Sequence, residues 1–248
     1  EQIIRVHLHP CFGDTDLRDI CVETVERFRA RQLKGRSAKT VNNQLSLLST
    51  IFAKAVQWGY CETNPVRGSM LKVPETEMMF WESRDQEAFL REVCEGYPGW
   101  APFFVTALFT GMRLGELLAL SWRDVSFDRD QILVRRSFSH GALTGTKSGK
   151  GRALPMHPRV KAALLAHRHL KGRLIFCDGK GGYLRRDMVK GPMERSIRRA
   201  GVPRIRIHDL RHTFASQAVI QGVPLPQVQQ WLGHADIRTT MRYAHLAP

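Results

Sequence analysis

Between Phe103 and Leu120 the chain is strongly apolar, and an arginine stands in the middle of the stretch. A segment apolar on every face cannot lie on a surface, so it belongs at the centre of a core. It reads as an apolar helix interrupted at Thr110-Gly111-Met112-Arg113. Burying Arg113 is expensive unless a counter-charge or a bound anion meets the guanidinium. Glu116, three residues on, would share its helical face and could hold it. The segment alone leaves two readings: a structural Arg–Glu pair, or an arginine held ready for an anion.

The pattern around this stretch divides the chain. Ser37 opens a helix in which Val41, Leu45, Leu48, Ile51, Phe52, Ala55 and Val56 recur at three and four, ended by Gly59 and Asn64-Pro65. Ile20, Val22, Val25 and Phe28 mark an earlier amphipathic helix closed by Lys34-Gly35, and residues 72–77 read as a linker. Beyond it, Ser83 and Gln86 suggest a capping box for a helix through Val93. Ile132-Leu133-Val134 and Arg152-Ala153-Leu154-Pro155 read as short strands. Between them a glycine-rich turn, Gly141 to Gly151, carries Lys147 and Lys150. Residues 158–248 read as mainly helical with short breaks. The expected fold is mainly α with a small β-sheet: a helical domain over 1–74, then an α+β domain over 75–248.

The formal net charge of +15 points to a polyanionic partner. Residues 1–74 carry 11 Lys/Arg against 7 Asp/Glu, and the remainder 27 against 16. Residues 75–95 are acidic, so the excess lies beyond Glu95. Its densest part is Arg185, Arg186, Lys190, Arg195, Arg198, Arg199, Arg204 and Arg206. A charge run on one helix is commonly a solvated face, whereas an excess across a whole domain favours a phosphate backbone. Five cysteines, odd in number and without a C-x-x-C pair, argue against a disulfide framework or a zinc cage and for a reducing compartment. No apolar run reaches membrane-spanning length, and no signal-peptide pattern is present. The chain starts at Glu1 without Met and stops soon after Tyr243, so it reads as a fragment lacking something upstream and part of a tail.

Two clusters near the end carry chemistry: His208-Asp209-Leu210-Arg211-His212-Thr213, and Leu232-Gly233-His234 followed by Tyr243. His208 and Arg211, three apart, project the same way from a helix. Arginine forks phosphate oxygens, and histidine moves a proton near neutral pH. A two-histidine zinc motif would need Glu where Asp209 stands and a third ligand, and would leave Arg211 unused. Tyr243 is either a packing residue or a nucleophile. A phenol, with a pKa of about 10, attacks well only if neighbours stabilise the phenolate or take its proton. Arg113, Arg211 and His234 are neighbours of that kind.

In this order the motifs resemble those of the tyrosine recombinases, specifically phage-type integrases. Arg113 stands in Thr-Gly-x-Arg-x-x-Glu, His208 and Arg211 fill His-x-x-Arg, His234 falls in Leu-Gly-His, and Tyr243 follows nine residues later. Thr146-Lys147-Ser148, followed by Arg152-Ala153-Leu154-Pro155, fits the family's hairpin lysine, with Lys150 close enough to compete. The resemblance implies a helical, SAM-like core-binding domain and an α+β catalytic domain. It implies that Arg113 and Arg211 clamp a scissile phosphate, that Tyr243 forms a 3′-phosphotyrosyl bond, and that Lys147 protonates the departing 5′-oxygen. His208 would assist proton transfer, His234 would bond the phosphate, and Glu116 would position. Neither metal, ATP nor any other cofactor is then expected. The implied partners are double-stranded DNA with attachment-type sites, a Holliday junction, four copies of the chain assembled on DNA from monomers, and accessory bending or directionality proteins. The implied location is the cytoplasm of a bacterium, the gene being bacterial or phage-borne. Lys39, Asn42, Asn43, Lys150, Arg152, Arg185 and Arg186 are the expected DNA contacts. Two rivals stand beside this reading: a type IB topoisomerase, which reseals the original strand, and a DNA-binding protein with a decayed site, which the filled signature positions oppose.

Overall fold

The three-and-four spacing after Ser37 does close a helix, because its apolar positions find partners on a second one. The computed structural model of the chain describes residues 1–74, 78–145, 149 and 151–248. It divides into two compact units, Glu1–Glu77 and Met78–Pro248. In the first, a π-helical turn at Ile4–Leu8 leads into α1 (His9–Phe12), followed by α2 (Val22–Leu33) and α3 (Ala38–Gln57). Val25 and Phe28 of α2 pack with Val41, Leu45, Leu48 and Phe52 of α3, and Leu8, Phe12 and Ile20 complete this core. Ser37 caps α3, its Oγ accepting from Thr40 N at 3.3 Å. Asn42 corrects an expectation. Its Nδ2 donates to Leu71 O at 2.8 Å and its Oδ1 accepts from Leu71 N at 2.9 Å, so the amide expected at the DNA surface clamps α3 to the segment behind it. Lys39 and Asn43 are exposed.

The second unit runs α4 (Ser83–Gly96), α5 (Ala101–Thr110), α6 (Leu114–Leu118), β1 (Val125–Ser126), β2 (Gln131–Val134), β3 (Arg136–Ser139), β4 (Ala142–Gly145) and β5 (Arg152–Pro155). It continues with α7 (Pro158–Ala166), α8 (Arg186–Ala200), α9 (Asp209–Ile220), α10 (Leu225–Leu232) and α11 (Arg238–Met241). The apolar α5 is buried through Phe103, Phe104, Val105, Ala107 and Leu108. It lies against α4, α7 and α9. The box at the start of α4 is one residue earlier than expected: Glu82 is the cap, and its N donates to Asp85 Oδ2 at 3.3 Å. Ser83 and Gln86 point elsewhere, Ser83 Oγ donating to Gln217 Oε1 at 3.4 Å and Gln86 Nε2 to Trp81 O at 3.5 Å.

The two expected strands pair within an antiparallel sheet ordered β1-β2-β5, with Ile132 opposite Leu154 and Val134 opposite Arg152. Between them β3 and β4 form a separate hairpin that the sequence did not announce as strands. Its turn, His140 (φ 51) and Gly141 (φ 78), has the two positive φ values that a tight right-twisted hairpin requires. β4 is exposed along its whole length, so no buried face marked it. Residues 167–185 are also non-helical, held in part by antiparallel bridges Ser121↔Leu174 and Cys177↔Tyr183. This is a longer break than expected. No helix among the described residues is long and apolar enough to cross a membrane.

Candidate active site

Two helix ends meet where the motifs converge. α5 stops at Gly111, which takes a left-handed φ of 61. A Cβ there would lie 2.3 Å from Phe214 Cδ1 of α9, so both the turn and the helix approach require glycine. Arg113 then caps α6, and its own N donates to Glu116 Oε2 at 2.9 Å. α10 likewise stops at Gly233, with a left-handed φ of 65. The last carbonyls of both helices are left without intrahelical donors and carry the negative end of the helix dipole.

Guanidinium groups meet those carbonyls. Arg211, on the first turn of α9, is 3% exposed; its Nη1 donates to Gly111 O at 2.8 Å and its Nη2 to Leu232 O at 2.6 Å. Arg113 Nη2 donates to Gly233 O at 3.2 Å. Arg152 Nε donates to Trp231 O at 2.6 Å. Three consecutive carbonyls of α10 thus accept from three different arginines. Among the described residues, these guanidiniums contact a single carboxylate, the buried Glu116. Arg113 Nη1 reaches its Oε1 at 3.0 Å, and Arg152 forks onto Oε1 and Oε2 at 2.9 and 2.7 Å. Burial alone would raise the Glu116 pKa, but the Arg152 fork and then Arg113 outweigh it and hold the carboxyl below its ordinary range. Arg211 has no such partner. Desolvation, then the charge of Arg113, brings its pKa down to about 9.

Tyr243 is 1% exposed, packed with Ala215, Ala218, Val219, Val228 and Leu232. Its hydroxyl lies 2.6 Å from His212 Nδ1. Desolvation pushes the phenol up to about 12, against the pull of Arg242 and Arg211. Desolvation, then the neighbouring His208, brings His212 down to about 4; the His212 tautomer sets the direction of its hydrogen bond with the phenol. His212 was missed as a site residue. It stood inside the quoted motif, and four residues from His208 on a helix was the available signal. His208 begins α9, its ring centroid 5.0 Å from that of His212; desolvation and then Arg211 lower its pKa. His234 follows Gly233, and its Nδ1 lies 2.9 Å from Thr240 Oγ1. Desolvation, then Arg211 and Arg113, bring it down to about 4. Arg113, Glu116, Arg211 and His234 therefore share one cluster, and Tyr243 joins it through α9.

The remaining expectations fall out unevenly. Lys147 and Lys150 lie outside the described residues. The Arg152 side chain, expected at the DNA surface, is turned into the cluster and only 7% exposed. Arg185 and Arg186 are exposed at the start of α8, Arg185 paired with Asp187 at 2.9 Å. Elsewhere in the basic run, Arg199 pairs with Glu92 at 2.8 Å, Arg204 with Glu194 at 3.4 Å and Arg206 with Asp209 at 2.8 Å. Part of that charge is thus neutralised within the unit.

Comparison with known proteins places the chain in a family. A protein named tyrosine recombinase XerC-like from Caldanaerobacter subterraneus subsp. tengcongensis is 28% identical over 87% of this chain and 64% of its own length. The integrase of Escherichia phage 186 is 28% identical over 100% of this chain and 71% of its own. The chain therefore spans roughly two thirds of these relatives. In fold it is similar to the Tn1549 transposon integrase solved in complex with a circular intermediate DNA, with a TM-score of 0.88 at 21% identity, covering 98% of this chain and 86% of that one. A lambda integrase tetramer bound to a Holliday junction superposes with a TM-score of 0.75 at 18% identity, covering 95% and 70%. Residues 100–248 match the sequence profile described as the phage integrase family, which takes in all the motifs above. The chain belongs to the phage integrase family.

Proposed function

We propose that this chain is a site-specific DNA recombinase that breaks and rejoins strands through Tyr243. The observation that carries the reading is electrostatic. Arg113, Arg152 and Arg211 lie together with one carboxylate, Glu116, which pairs with the first two and leaves Arg211 on backbone carbonyls: an excess of two positive charges among the described residues of the cluster, with a buried phenol beside it. A phosphodiester brings one negative charge, and its pentavalent transition state brings two. Prearranged donors of this kind stabilise the charge that develops, which is the largest source of rate in such sites.

In the proposed step the Tyr243 oxygen bonds to phosphorus and the bond from phosphorus to the 5′-oxygen breaks. The phenol proton passes to His212 Nδ1, with His208 behind it, and Lys147 gives a proton to the leaving 5′-oxygen. Arg113 and Arg211 hold the non-bridging oxygens, and His234 donates to one of them. Glu116 positions Arg113. The 3′-phosphotyrosyl bond keeps the energy of the phosphodiester, so a 5′-hydroxyl of another strand can reverse the step. The Glu1–Glu77 unit serves as the core-binding domain and Met78–Pro248 as the catalytic one. Lys39, Asn43, Arg185 and Arg186 supply phosphate contacts, which position without reading sequence. Four copies would act on two duplexes through a Holliday junction, in the cytoplasm, with accessory DNA-bending proteins setting direction.

Two measurements test this reading. Affinity for duplex DNA should fall steeply as salt rises, with a slope of about −0.9 per phosphate contacted. An affinity indifferent to salt contradicts it. Supplied with a synthetic Holliday junction bearing its site, the chain should yield exchanged duplexes. Resealing of the original strands alone would assign it to the topoisomerase reading.

A further inference from the structure

Arg152 opens β5, two residues after Lys150 in the sequence, where an exposed basic residue would touch phosphate. The structure buries it: its side chain is 7% exposed, although the pairing places it opposite Val134 at the edge of the sheet. Among the described residues its hydrogen bonds are internal. It forks onto both oxygens of Glu116, and its Nε reaches Trp231 O. Its stem lies so close to Gly233 that a Cβ there would sit 3.1 Å from Arg152 Cδ. One guanidinium therefore ties β5 to α6 and to the end of α10.

Those three segments bear on part of the reacting set. Arg113 caps α6, His234 follows the end of α10, and Lys147 and Lys150 precede β5 in the sequence. Resting on the strand-transfer reading above, we propose that Arg152 is a positioning residue of the active site and makes no contact with DNA. The fork fixes the plane of the Glu116 carboxylate. In that plane Glu116 offers Arg113 one oxygen for its Nη1 and the other for its backbone N. Without Arg152, the carboxylate is left to Arg113 alone and turns to take both arms of its guanidinium. The arginine intended for the phosphate is then occupied, and the α10 turn loses one of its three arginine contacts.

The test uses the full chain and a randomised duplex library whose linkages carry a 5′-bridging sulfur. The liberated thiol is a poor nucleophile, so covalent adduct accumulates; it is also a good leaving group, so the assay bypasses the lysine. In Arg152→Met the single-turnover adduct rate should fall about 100-fold, the scale of a displaced reacting group. Arg152→Lys, which keeps the charge but not the fork, should fall between that and the wild type. DNA affinity and its salt slope should not change. Removing the charge should raise the His234 titration, read by NMR, in Arg152→Met and leave it in place in Arg152→Lys. Adding Glu116→Gln to Arg152→Met should cost little further rate, because both act on Arg113. If Arg152→Met does not fold, Arg152→Lys gives the same division between rate and affinity. A salt slope lower by about 0.9 with rate lost only through affinity makes Arg152 a DNA contact and overturns the proposal. So does a wild-type rate in Arg152→Met. No adduct from the wild type itself overturns the strand-transfer reading, and this proposal with it.

Discussion

Replacing Glu116 by Gln removes the counter-charge on which two guanidiniums depend. Glu116 lies 2.7 and 2.9 Å from the arms of Arg152 and 3.0 Å from Arg113. At an effective dielectric of about 20, the Arg152 contact alone amounts to roughly 6 kcal/mol of attraction. The amide keeps the shape and one acceptor but turns an NH2 toward a donor. Removing one member of a buried pair costs about 3–5 kcal/mol, because a buried charge is left unmatched. In a chain of this size that lowers Tm by roughly 6–20 °C. Thermal melts of wild type and Glu116→Gln near neutral pH read it directly. Sulfate should recover more of the loss in the variant, which holds one more uncompensated positive charge. The Glu116 pKa is depressed in the folded state, so its stabilisation is present at neutral pH and lost as pH falls through the folded value. The two melting curves should therefore converge in acid. An unchanged Tm, or an equal response to sulfate, refutes the placing of Glu116 as the counter-ion of the cluster.

Other consequences are smaller in scale. His212 and His234 both have pKa values depressed from 6.5 to about 4, so the unfolded chain takes up protons that the folded chain refuses. Stability should fall as pH drops from 6.5 toward 4, by roughly 3 kcal/mol for the buried His212; His212→Gln should flatten that part of the stability–pH curve, and an unaltered curve would contradict it. Gly111→Ala forces a side chain into a left-handed turn and against Phe214, so chemical denaturation should show a loss of about 1–3 kcal/mol. Asn42→Ala should lower stability by about 1–3 kcal/mol without changing the salt slope of DNA binding, since its amide serves Leu71; a reduced slope would return it to the DNA face.

How much of this was legible in the sequence depended on whether the signal was local. The α3 helix, β2, β5 and the break at Gly111 followed from spacing and glycine alone. The β3–β4 hairpin did not, because strands without a buried face leave no alternation to read. The positions of Arg113, Arg211, His234 and Tyr243 came from motif order. What held them did not, since the three arginines meet on carbonyls of α10, and backbone acceptors have no letter in a sequence. For the same reason Arg152 read as a surface charge and Asn42 as a DNA contact: a long-range partner reverses the meaning of a polar residue. His212 was visible within its motif, but only the fold showed that it, and not His208, touches the phenol.

Strand transfer by this chain turns on one bond, between the Tyr243 oxygen and a 3′-phosphate. The direct measurement is to trap adduct on the 5′-bridging phosphorothiolate library with chelator present, digest it, and locate the nucleotide-bearing peptide by mass spectrometry, with Tyr243→Phe alongside. The adduct should form with the wild type only, carried by the peptide containing Tyr243, and the Tyr243→Phe chain should bind DNA undiminished. An adduct that survives in Tyr243→Phe, or one mapped to another residue, contradicts it.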